Sequence, residues 1–142
     1  MNLSPSLRLL ALFFASLWAT SVLGASTSAS DAAVFFTNLE SGQTVTSPVT
    51  VKFGISNMAV IPAGVEQSNS GHHHLLINVD DVDLTAPIPS DEQHRHFGKG
   101  QTQTTLDLEP GTYQLQLLLG DHLHRPHGEP VMSEKLTLVV SE

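Results

Sequence analysis

After residue 32 the chain never places apolar residues at a sustained helical spacing with caps. It shows short apolar or alternating runs cut by turn residues, and that pattern leaves strands as its building unit. Candidate strands cover residues 34–39, 49–55, 73–79, 102–108, 112–119 and 131–140. In the second, Val49, Val51, Phe53 and Ile55 share one face, and Pro48 marks its start. In the third, Leu75, Ile77 and Val79 form the inward set; in the fifth, Tyr113, Leu115, Leu117 and Leu119 do. Residues 58–71 and 80–92 read as long loops. The expected fold is all-β: an immunoglobulin-like antiparallel β-sandwich of about seven strands over residues 33–142. Pro110-Gly111 followed by Tyr113 has the form of a tyrosine corner, in which the ring packs inward and the hydroxyl caps a backbone group upstream.

Residues 1–24 read as a secretory signal. Arg8 supplies positive charge, residues 9–18 are apolar, and small residues follow. Cleavage is expected after Gly24, with Val22 at −3, and residues 25–32 then form a flexible leader. The alternative is an uncleaved anchor of 17 residues, the short limit of a membrane span. The expected location is periplasmic or secreted, with no membrane association once the signal is removed.

Lys and Arg number 6 against 14 Asp and Glu, a formal charge of −8 with no basic run, so nucleic acid is not an expected partner. The absence of cysteine excludes disulfides, Fe–S clusters, thiolate-bound zinc or copper, and a cysteine nucleophile. Hydrophobic content of 40% is enough for a core. Nucleotide-binding and serine-hydrolase motifs are missing. What stands out is histidine: there are 8, all between His72 and His127.

They fall in three places: His72-His73-His74, His94-Arg95-His96, and His122-Leu123-His124 followed by His127. Each contains His-x-His, and in an extended chain residues i and i+2 project to one face. Two such rings can close on one ion, and neutral imidazole suits Cu(II), Zn(II), Ni(II) and Fe(II). If Leu75 and Ile77 face the core, His73 shares their side, as a packed, hydrogen-bonded residue. His72 and His74 then face away as ligands. Asp121 is a candidate ligand, or the carboxylate that orients a ring. The first pair opens its strand and the third closes its own. Antiparallel neighbours therefore bring both to one edge of the sandwich, which favours a single shared site.

Several motifs together resemble the bacterial family called domain of unknown function 4399. They are Gly71-His72-His73-His74-Leu75-Leu76-Ile77, His96-Phe97-Gly98-x-Gly100-Gln101-Thr102, Leu108-x-Pro110-Gly111, Gly120-Asp121-x-x-His124-x-Pro126-His127, and Pro130-Val131-x-Ser133. The resemblance spans residues 35–140 and implies a secreted or periplasmic module; the family carries no established activity. Its pattern matches His72, His74, His96, Asp121, His124 and His127, while His94 and His122 lie outside it. Asn78 stands where Asp is expected and Tyr113 where His is common. A looser similarity, at fold level, links Pro110-Gly111-Thr112-Tyr113 and Asp121-His122 to periplasmic copper carriers of the CopC type.

The expected function is capture or delivery of a divalent transition metal, copper or zinc, with a periplasmic protein as partner. The candidate ligands are His72, His74, His96, Asp121, His124 and His127, with His94 and His122 as further candidates. Two alternatives remain: an envelope interaction module whose histidines brace loops, and a metal-dependent hydrolase using Asp91 or Glu92 as base.

Overall fold

The computed structural model describes Ser26 and residues 28–142. The expected signal segment lies outside the described residues. Among those described, nine strands form two sheets, and no helix is long and apolar enough to cross a membrane.

The smaller sheet has the order β1 (Ala33–Phe36), β3 (Val49–Ser56), β7 (Gln103–Leu106), antiparallel throughout. The larger runs β2 (Gln43–Thr46), β9 (Leu136–Ser141), β8 (Gly111–Gly120), β5 (Ser70–Ile77), β4 (Ala59–Val60). A further strand, β6 (His94–His96), pairs with β5 on the side away from β8. Alternation decides what faces inward. Val51 and Phe53 from one sheet meet Leu75, Ile77, Leu115, Leu117, Leu119 and Leu138 from the other in one core. The all-β sandwich expected from the pattern is therefore the fold.

The additional strands are short pieces at sheet edges. β2 pairs with β9, and β4 with β5, in parallel, so the sandwich is not antiparallel everywhere. The third expected strand begins earlier, at Ser70, and stops at Ile77, because Asn78 takes a left-handed φ of 54°. There the Asn78 side chain accepts a bond from Gln114 N at 2.8 Å. An aspartate is thus not needed at this position to close the ladder. The last strand is shorter than expected. Ser133 interrupts residues 131–135 by placing its hydroxyl, not a backbone carbonyl, on Leu117 N at 2.9 Å. The tyrosine corner is present: Tyr113 Oη donates to Glu109 O at 2.9 Å, and the ring packs on the core.

The larger sheet has both faces covered around β5. All eight of its residues are buried. On the outer face Leu76 and Leu118 pack with Ile88, from the loop before β6, as a second apolar cluster. Antiparallel sheets commonly leave one face wet; here loops close over it. Tied loops of this kind hold the histidines. Leu117, fully buried on the inner face, anchors the sheet beneath them. Leu117→Ala is expected to cost about 2–5 kcal/mol in a denaturant titration; a cost near zero would mean the core is not packed around this residue.

Candidate metal centre

Strand β5 carries three consecutive histidines, and its pleat separates them. His73 points inward with Leu75 and Ile77, its ring 5.2 Å from that of Phe53. His72 and His74 point outward. β8 lies on one side of them, with His72 opposite Gly120 and His74 opposite Leu118; β6 lies on the other, with His96 opposite His74. Register alone therefore sets His96 beside His74. The fourth ring arrives from a loop: His124 stands 5.0 Å from His72 and 4.7 Å from His96, centroid to centroid, and 6.2 Å from His74. His72 lies 4.8 Å from His74 and 5.0 Å from His96. Four imidazoles from three chain segments form one cluster.

Two glycines make room for it. A Cβ on Gly120 would sit 2.6 Å from His74 Cε1, and one on Gly98 would overlap the His96 ring. The imidazoles lie flat where a side chain would otherwise stand. Asp121 builds the loop that delivers His124. Its Oδ1 accepts from Leu123 N at 2.8 Å and Arg125 N at 2.9 Å, and its Oδ2 from Ser26 Oγ at 2.9 Å. This is an Asx-type turn, and it lets His124 adopt a left-handed φ of 64°. Ile88 N then bonds to His124 O at 2.7 Å, and Gly64 N to His122 O at 3.0 Å, so two further loops are fastened over the cluster.

The candidate residues thus divide. His72, His74, His96 and His124 come together. Asp121 makes no hydrogen bond to a ring: its Oδ1 takes the N–H groups of Leu123 and Arg125 and its Oδ2 the Ser26 hydroxyl. His127 is buried apart from the cluster, and His122 is half-buried beside it, both lining a separate small cavity. His94 lies two residues before His96, with its Nδ1 2.8 Å from Asp91 Oδ1. His73 is packed as expected, yet it is not hydrogen-bonded: neither ring nitrogen has a partner. The segment expected as a leader also takes part, through Ser26 on Asp121 and Ser28 Oγ on Glu129 O at 3.0 Å.

His72 and His74 have no exposed surface, and none of their four ring nitrogens has a hydrogen-bond partner; nor has His96 Nε2. Buried polar atoms without partners are costly. One ligand nitrogen each from His72, His74 and His96 lies within 4.8 Å of the others, the one such trio among the described residues. Tetrahedral Zn–N bonds of about 2.0–2.1 Å would bring such atoms to roughly 3.3 Å. The trio can hold a metal ion, and the unpartnered nitrogens fit that use. Burial lowers the His72 pKa to about 4, with the nearby rings of His96 and His124 adding to it. Burial likewise lowers His74 to about 2, helped by His72, His96 and His124. These rings are therefore neutral, the form that ligates. Burial works against charge on Asp121, but the N–H groups of Arg125 and Leu123 and the Ser26 hydroxyl outweigh it and hold its carboxyl below the usual range.

Fold and site together define a β-sandwich with a buried imidazole cluster on the outer face of its larger sheet. The chain belongs to the family described as Domain of unknown function (DUF4399), whose pattern matches residues 51–141, a stretch that contains all eight histidines. Comparison with curated proteins and with solved structures gives no match.

The inward imidazole makes an acid-stability test possible. Burial lowers the His73 pKa to about 4, whereas in the unfolded chain it protonates near 6.5. Between those values the unfolded state binds more protons, so stability is fully present above pH 6.5 and drains away toward pH 4. His73→Leu in the metal-free protein is expected to flatten the pH dependence near pH 5 by roughly 1 kcal/mol per pH unit. An unchanged slope would show that His73 is hydrated in the folded state.

Proposed function

We propose that this protein captures a divalent transition metal, copper or zinc, and delivers it to a protein partner in the periplasm or outside the cell. His72, His74 and His96 are the primary ligands and His124 is the fourth. One observation carries the reading: three imidazoles offer ligand nitrogens within 4.8 Å of one another, and those of the fully buried His72 and His74 have no other partner. An interaction module that used histidines to brace loops would place ring nitrogens on loop carbonyls, and the cluster makes no such bond. The absence of thiolate ligands, with imidazole nitrogen throughout, suits Cu(II) and Zn(II). The location rests on the signal-like pattern of residues 1–24.

Delivery requires that the ion also leave. Two ligands sit on the rigid β5 and one on the short β6, whereas His124 sits on a loop. His96 and His124 are half-buried, while His72 and His74 are enclosed. The ion is thus held from below by strands and faced from outside by the side that a partner can reach. Ordinary imidazoles surrender metal as pH falls below about 6. Here protons compete for His72 and His74 only in stronger acid, so the acid limit of binding moves down.

Titration of metal-free protein with Cu(II), Zn(II) and Ni(II) tests this. The expected result is one ion bound with submicromolar affinity to copper or zinc, still held at pH 5, and lost in His74→Ala and in His96→Ala. His94→Ala is expected to bind as the wild type does. Binding no tighter than that of scattered surface histidines, or equal loss in His94→Ala, would contradict the proposal.

A further inference from the structure

The histidine that the cluster leaves out has surroundings of its own. His127 is 2% exposed, and both of its ring nitrogens lack a partner. It lies near the Ser26 carbonyl but outside hydrogen-bond geometry. Its ring lines a cavity of about 190 Å³ together with Asp121, His122, Glu66 and Ser70. Two carboxylates and two imidazoles therefore face this space, and no lysine or arginine does. Asp121 Oδ2 takes a single hydrogen bond, from Ser26, and keeps further acceptor capacity. The chemistry of the lining is that of a cation site.

Its position relates it to the cluster. Ser70, in the cavity wall, stands two residues before His72 on β5, so the two share the outer face about 7 Å apart. Asp121, also in the wall, directly follows Gly120, which is opposite His72. The negative charge of Asp121 acts on both His72 and His127. The cavity is thus one strand step from the most enclosed side of the cluster. No three of its ligand atoms lie close enough to chelate an ion, since the single such trio among the described residues is that of the cluster. A weak, transient site fits these facts better than a storage site.

We propose that this cavity is a loading site: a hydrated divalent transition-metal ion is drawn in by Glu66 and Asp121, takes His127 as its first nitrogen ligand, and passes to His72. The inference rests on metal binding at the imidazole cluster and adds the route. A route changes rates in both directions equally and leaves the endpoint affinity alone. Fields from carboxylates lining a cleft raise association rates by 10-fold or more.

The experiment is stopped-flow loading of metal-free protein with Zn(II) or Cu(II), paired with release to a chelator, for wild type, His127→Gln and Glu66→Gln. Both variants are expected to load and to release more slowly by a similar factor, roughly tenfold, with stoichiometry and equilibrium affinity unchanged. Glu66 is exposed, so its substitution carries little risk to folding. Wild-type loading rates in both variants, as direct approach past His96 and His124 would give, overturn the loading site and leave metal binding intact. Lower affinity with an unchanged loading rate would make His127 a support of the cluster and equally overturn the route. A wild-type protein that binds no ion overturns both proposals together.

Discussion

The structure depends on the cost of burying imidazole without giving it a partner. β5 is enclosed on both faces, and three of its eight residues are histidines. Period-two alternation forces one inward and two outward. The inward ring is tolerated as a neutral aromatic group beside Phe53. The outward rings are different: they meet two more imidazoles across a few ångströms, and their nitrogens have no hydrogen-bond partner in the protein. In a dry environment such a group of acceptors and donors is unfavourable alone and favourable around a cation. The protein holds that arrangement by fastening loops across it, at Gly64–His122 and Ile88–His124.

Two further features make the cluster possible, and neither contributes a ligand. Glycines at 98 and 120 let rings lie against the sheet, and Asp121 spends its carboxylate on the backbone of the 121–125 turn, so that His124 can take a left-handed conformation. An aspartate in a histidine-rich segment invites a reading as a metal ligand. In the structure its carboxylate shapes the loop that carries His124 to the cluster. The same loop leaves His127 outside the cluster, in the wall of the acidic cavity beside Ser70.

Much of this was legible in the residues. The phase of Leu75 and Ile77 separates His73 from His72 and His74, and the antiparallel edge argument places residues 120–124 beside them. The Pro-Gly-x-Tyr pattern gives the tyrosine corner. Other parts were not legible, for physical reasons. The strands β2, β4 and β6 are two to four residues long and are defined by partners, too short to carry a period of their own. His96 joins His74 only through the β5–β6 register, a long-range pairing that composition does not encode. Nothing local distinguishes His124 from His122 or His127; the hydrogen bonds of Asp121 do that. The Asp-x-Leu and Asp-x-x-x-Arg spacing is compatible with such a turn, and that was the available signal.

The central claim is that His72, His74, His96 and His124 surround one ion. Anomalous diffraction from crystals of the protein loaded with Zn(II) or Cu(II), collected on both sides of the metal edge, tests it most directly. The account predicts a single strong peak among these four rings, within bonding distance of nitrogens from His72, His74 and His96. A peak instead at His94 or His122, or a cluster left empty at full metal loading, would contradict it.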